Sequence, residues 1–265
     1  MQRAATELVL TTVADGVATI TLNRGDKANA LSRELINAMA DAVAAVARRC
    51  GPSAATAATG AQHAESPNHD VRVVVLAGAG KCFCAGMDLR AVANDPVAMG
   101  DMLRTLSRVS RAIRRLPVPT ISQVQGAAVG GGCGLMVVTD FAVTHPESKV
   151  GYPEVDLGVC PAVVAPWLIR KIGAGRARAM LLAGGTMTGR EGFDLGLATH
   201  LCEQSALETT VRDLAARLAK GGPNAIAATK HWLNELDGSL DDAVLDKAAE
   251  LSAQIIAGDE AQTRL

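Results

Sequence analysis

Thr120-Ile121-Ser122-Gln123-Val124-Gln125-Gly126-Ala127-Ala128-Val129-Gly130-Gly131-Gly132-Cys133-Gly134-Leu135-Met136-Val137-Val138-Thr139-Asp140 opens as a short alternating segment that reads as a strand. Three consecutive glycines then lead into an apolar run, the pattern of a turn that feeds a buried helix. Glycine there lets backbone approach backbone, or a ligand, with no Cβ in the way. The first turn of such a helix has unpaired N–H groups and a partial positive charge, so it can hold an oxygen that becomes negative. The stretch is not a phosphate loop, because it has neither a Gly-Lys-Ser/Thr ending nor Gly-x-Gly-x-x-Gly spacing. Tight helix packing would also explain a lone glycine triplet, so its flanks decide the reading.

Upstream, Val71-Arg72-Val73-Val74-Val75-Leu76-Ala77-Gly78-Ala79-Gly80 is a strand and turn, followed by Lys81-Cys82-Phe83-Cys84-Ala85-Gly86-Met87-Asp88-Leu89. Downstream, Val150-Gly151-Tyr152-Pro153-Glu154-Val155-Asp156-Leu157-Gly158 places an acid in a mostly apolar loop. Phe-x-Ala-Gly-x-Asp-Leu, Gly-Gly-Gly about forty residues later and Pro-Glu about twenty further on together resemble the crotonase (enoyl-CoA hydratase/isomerase) family. The resemblance runs from Val17 to the C-terminal helices. It implies an α/β fold, a spiral of strand–strand–helix turns over residues 1–202, with a helical trimerisation region over 203–265. A homotrimer or dimer of trimers is then expected.

The same resemblance assigns the chemistry. The substrate is an acyl-CoA, and no cofactor is implied beyond the coenzyme A that the substrate carries. The N–H groups of Met87 and Gly131 would hold the thioester oxygen as an enolate forms, and Glu154 would be the acid/base. Beside Tyr152, Pro153 and Val155 its carboxyl is expected to be desolvated and its pKa raised. Lys27, Ala28, Ala85, Gly86, Asp88, Leu89, Gly130 and Gly134 are the expected substrate and CoA contacts. Asp88 is also expected to cap the helix after it.

One departure matters. Straight-chain hydratases of the family carry a second glutamate where this chain has Gly134. The run Gly158-Val159-Cys160-Pro161-Ala162-Val163-Val164-Ala165-Pro166 also lacks the usual Pro-Gly-Ala-Gly-Gly and looks more like the branched-acyl, methylglutaconyl-CoA-type hydratases. The dienoyl-CoA isomerases are disfavoured, since their two further aspartates would fall at Gly134 and Ala162. The first expectation is therefore a hydratase for a short or branched enoyl-CoA. A Δ3,Δ2-enoyl-CoA isomerase using Glu154 alone and a non-catalytic acyl-CoA-binding homologue are the alternatives. Asp156 would point the same way as Glu154 if the segment were extended.

Composition sets the outer bounds. With 265 residues, 49% of them hydrophobic, the chain can bury a full core. A net charge of −1 and only three Phe, two Trp and one Tyr offer nucleic acid neither field nor stacking surface. The six cysteines form no C-x-x-C pair and the histidines do not cluster around them, so reduced thiols in a cytoplasmic protein are expected, with no metal site. No secretion signal is evident. Leu116 to Thr139 is uncharged, but its prolines, glutamines and glycines argue against a membrane span.

Elsewhere, Asp15-Gly16 reads as a hairpin turn and Ser32 as the N-cap of a helix to Arg48. Arg24 and Lys27 sit in the loop that, by the resemblance, holds the CoA adenine and phosphates. Cys50 to Asp70 lacks any period and is expected to be a surface insertion. A helix from Val97 to Arg115 carries Met102, Leu106, Val109 and Ile113 on one side, with its arginines expected on a solvated outer face. Helices are expected at Ala206–Lys220, Asn224–Leu236 and Leu240–Ile256.

Overall fold

The computed structural model of the chain describes residues 7–51, 70–89 and 95–265. β1 (Val9–Ala14) and β2 (Val17–Leu22) form an antiparallel hairpin. Asp15 and Gly16 both have positive φ, 51° and 77°, as a tight hairpin turn requires. From β2 onward the sheet is parallel, through β3 (Val73–Gly78), β4 (Thr120–Val124), β6 (Phe141–Thr144) and β9 (His200–Leu201). A second sheet joins β5 (Ala127–Val129), β7 (Lys149–Gly151) and β8 (Thr186–Thr188). The chain gives β4 to one sheet and β5 to the other, then β6 and β7 likewise. Cys84 bridges Ala128 in parallel, so the turn after β3 follows the same course. This is the expected spiral.

Helices fill and cover it. Ser32 accepts the Leu35 N–H at 3.3 Å and starts α1 (Arg33–Ala47), which buries Leu35, Ile36, Met39, Val43 and Val46. Asp95 caps α2 (Pro96–Arg114). α3 (Gly131–Val138) is buried on every side, which fits its uniformly apolar sequence. α4 (Ala165–Ile172), α5 (Ala174–Ala183) and α6 (Gly189–Leu195) follow.

The C-terminal helices are α7 (Leu207–Ala219), α8 (Pro223–Leu236), α9 (Asp242–Ile256) and a short α10 (Asp259–Arg264) that the sequence reading lacked. α7 lays Leu207, Val211 and Leu214 on Val73, Val75, Ile121 and Val143 of the large sheet. α9 runs along α2, and here the expectation of a solvated arginine face fails. Arg104 pairs with Glu250 at 2.7 Å, Arg111 with Asp246 at 2.7 Å, and Arg115 with Asp242 at 2.8 Å. The arginine stripe is the seat of α9, because a basic face attracts an acidic helix when the chain returns past it.

The insertion expected at 50–70 lies, apart from its ends, outside the described residues. Those ends meet: Cys50 bridges Val71, and the Val71 N–H donates to the Arg49 carbonyl at 3.1 Å.

Candidate active site

Two loops and one helix end converge. Leu31 and Met87 form a parallel bridge, in which the Leu31 N–H donates to Gly86 O at 2.7 Å and the Asp88 N–H to Leu31 O at 3.0 Å. That pattern uses the amides on either side of Met87 and leaves its own N–H without a backbone acceptor among the described residues. Gly131 is the first residue of α3, and its N–H also has no backbone acceptor among the described residues, as the first turn of a helix dictates. Gly86, at φ 97°, brings the two together: a Cβ there would lie 2.8 Å from Val129 O and 3.8 Å from Gly131 N.

The glycine triplet divides its work. A Cβ on Gly132 would sit 2.2 Å from Cys84 O, so that residue serves packing. Gly130, at φ 55°, faces the acid: a Cβ would lie 3.1 Å from Glu154 Oε1. Gly131 is tighter than the sequence suggested, with Leu106 Cδ2 at 3.1 Å and Leu31 Cδ1 at 3.2 Å from an added Cβ. A branched side chain there would push the wall apart, so alanine is the usable substitution.

Glu154 opens a one-turn 3₁₀ helix, Glu154–Leu157. Its Oε2 is buried with no hydrogen-bond partner among the described residues. Burial without a partner pushes its carboxyl up to about 7, against a smaller lowering by its own backbone N–H. Asp156 does not join it. The segment is helical rather than extended, and in a 3₁₀ turn residues two apart face different sides. Asp156 instead accepts the Gly185 N–H at 2.9 Å.

Gly134 lies one turn along α3, where straight-chain hydratases carry their second glutamate. A Cβ there would be 2.6 Å from Val164 Cγ1. The volume that a second carboxylate would need is filled by a valine.

An apolar cavity with about 390 Å³ of empty space, its mouth included, lies between these groups, walled by Leu89, Leu103, Leu106, Val159, Val163 and Ile256. Met87, Gly131, Glu154 and Val164 border it. Leu103 and Leu106 come from α2, while Ile256 comes from α9. Ser252 of α9 accepts the Val163 N–H at 3.1 Å and donates to Cys160 O at 2.9 Å, fixing the loop that carries Val164. None of the α9 contributions was foreseen, since helical spacing does not say against what a helix packs.

At the entrance, Lys27 is exposed and Ala28 has φ 51°. The Ala85 N–H donates to Ala28 O at 3.0 Å, joining the two loops. Arg24 is not held out for a phosphate: its Nη1 donates to Asp88 at 2.6 Å and to Ala30 O at 3.0 Å. Asp88 is thereby a clamp on the Met87 loop. The expected capping role concerns residues 90–94, which lie outside those described. Asn29 is buried and donates to Ala79 O at 3.0 Å and Cys82 O at 2.8 Å.

Comparison with known proteins agrees with this geometry. Residues 58–263 match the enoyl-CoA hydratase/isomerase family model. The chain is 33% identical over 241 residues to a mitochondrial methylglutaconyl-CoA hydratase of Pyricularia oryzae, covering 78% of this chain and 69% of that one. It is 29% identical over 265 residues to the 1,2-epoxyphenylacetyl-CoA isomerase of Escherichia coli, covering 97% and 93%. An enoyl-CoA hydratase structure from Bacillus halodurans superposes with a TM-score of 0.82 over 97% of this chain and 98% of that one, at 23% identity. The fold is the crotonase fold.

Proposed function

We propose that this chain, which belongs to the enoyl-CoA hydratase/isomerase family, moves a double bond in an enoyl-CoA thioester, with Glu154 as the one acid/base. The observation that carries this reading is Val164 over Gly134, which leaves Glu154 as the single carboxylate lining the cavity among the described residues. The Glu154 carboxylate takes a proton from C2 of a 3-enoyl thioester, and the electron pair spreads onto the thioester oxygen as a dienolate. The N–H groups of Met87 and Gly131 hold that oxygen; donors of this kind are worth about 10²–10³ in rate each. Protonated Glu154 then returns the proton at C4, leaving the double bond at C2–C3. A carboxyl with a pKa near 7 suits both halves, since it gains and loses the proton at similar cost.

Hydration is the second reading, favoured by the likeness to a methylglutaconyl-CoA hydratase. It asks Glu154 both to activate water and to protonate the α-carbon, without the second carboxylate of straight-chain hydratases. The walled cavity favours a short or branched acyl group in either case. Trp232, Leu233 and Leu236, all exposed along α8, supply an apolar face for the expected trimer.

The test is a panel of 2-enoyl- and 3-enoyl-CoA thioesters of graded length and branching, followed for both water addition and double-bond migration. Isomerisation should exceed hydration. Hydration faster than migration on every substrate would overturn the first reading in favour of the second.

A further inference from the structure

At the far end of α3 from the active site lies a second cavity, with about 420 Å³ of empty space including its mouth. Arg114, Asp140, Trp167, Arg170 and Lys171 line it. The donors around it exceed the acceptors. Arg170 spends Nε on Asp237 O at 2.7 Å and Nη2 on Gly238 O at 2.6 Å, leaving Nη1 without a hydrogen bond among the described residues. Arg114 spends Nη2 on Asp237 at 2.6 Å, and its Nη1 stands 3.7 Å from Asp140, beyond hydrogen-bond reach. Lys171 reaches only the carbonyls of Thr139 and Asp140, at 3.3 and 3.4 Å. Trp167 is 2% exposed, and its Nε1–H has no acceptor among the described residues.

Among the described residues one carboxylate lines it, and one of its oxygens is committed while Oδ1 has only Arg114 Nη1 at 3.7 Å. Asp140 Oδ2 accepts from the Thr120 N–H and hydroxyl and from Lys230 at 2.7 Å. Lysine beside the last carbonyls of α3 is explained by the helix dipole. That dipole does not explain two guanidinium groups with spare donors at the same cavity.

We propose that this cavity binds a small inorganic anion, of chloride to phosphate size, held by Lys171, Arg170 and Arg114 beside the Trp167 ring. The anion would join α2, α3 and α4, the helices that bear Leu106, Gly131 and the Val164 loop, from behind.

Trp167 reports on the site directly. The chain has two tryptophans, and Trp232 is exposed, so Trp232→Phe isolates Trp167. In chloride-free buffer at constant ionic strength, iodide should quench this buried indole along a saturating curve, while neutral acrylamide quenches it weakly. Chloride or phosphate should relieve the iodide effect. Adding Lys171→Gln should weaken iodide about tenfold, the loss of one charge-assisted hydrogen bond. Linear iodide quenching, or saturation unchanged by Lys171→Gln, overturns the site. If the double variant does not fold, the phosphate-dependent rise in Tm of the unmodified protein, lost in Arg170→Gln, decides the matter; no rise, or one kept in Arg170→Gln, rejects it.

Discussion

Helix α3 has an acid at each end, and the two behave oppositely. Glu154, at the N-terminal end, is half-buried with its inner carboxylate oxygen buried and unpartnered, and desolvation raises it to about 7. Asp140, just past the C-terminal end, is half-buried too, and desolvation is again the largest single influence. Yet Lys230, Arg114 and the Thr120 donors together hold it below its ordinary value. Burial is common to both, so the partners decide. A carboxyl given no partner becomes a proton carrier at neutral pH; one given several becomes a fixed anion that ties elements together.

Removing each acid tests this contrast, and Glu154→Gln should have the largest effect. Turnover should fall about 10²–10⁴-fold, the usual contribution of a positioned acid/base. Stability should move the other way. A carboxyl raised from 4.5 to about 7 contributes its full stability below pH 4.5 and loses it as pH rises through 7. The glutamine variant escapes that loss, so it should be more stable than the unmodified protein at pH 8, by up to about 3 kcal/mol at 1.36 kcal/mol per unit, and not below pH 4.5. Urea titrations at the two pH values check it. A glutamine variant less stable at pH 8 would mean that Glu154 has a partner after all.

Asp140→Asn should cost about 3–5 kcal/mol, because it strands the buried Lys230 without its counter-charge. The Asp140 contribution is present above its ordinary value of 3.8 and lost as pH falls below it, so the penalty measured by urea unfolding should shrink in acid. A cost under about 1 kcal/mol, typical of a surface pair, would erase the contrast.

Gly134→Glu asks whether the active-site end could hold a second acid. Alone it should destabilise by about 1–3 kcal/mol, as overpacking does, since Val164 Cγ1 is 2.6 Å from the new Cβ. Paired with Val164→Ala it should recover stability and raise hydration relative to isomerisation. An unchanged product ratio in the folded double variant would show that missing volume is not what limits hydration.

The smallest effect is expected for residues 52–69. Residues 52–69 connect ends that already meet at the Cys50–Val71 bridge. Replacing them with four or five Gly and Ser residues should leave stability within about 1 kcal/mol, since loop length costs only about 0.6 kcal/mol per doubling. A larger drop in thermal unfolding would show that the segment packs.

The difference between these regions also marks what could be read from residues in order. The hairpin at Asp15-Gly16, the Ser32 cap, the strand before the glycines and the apolar α3 follow from short-range rules of turn geometry, capping and period, and all stand in the fold. Met87, Gly131 and Glu154 were implied by the family resemblance that their motifs carry, and the fold gathers them around one cavity. Val164 over Gly134 was not legible, although the glycine was, because nothing in a linear spacing says which distant side chain fills a space. Asp156 was left open by its position two residues from Glu154. Its direction depends on whether the backbone is extended or 3₁₀, and a contact with Gly185 accompanies the second.

Local pattern therefore sufficed for the hairpin, the caps and the buried glycine-led helix, and its motifs carried the family resemblance that implied the fold, the donors and the missing glutamate at position 134. Those are properties of single residues and their near neighbours, where backbone sterics and hydrophobic period act directly. The wall that α9 lends to the cavity, the arginine seat beneath it and the opposite protonation of Glu154 and Asp140 arise only when distant segments meet. A pKa is set by what surrounds a group once water is removed, and surroundings of that kind exist only in the packed chain.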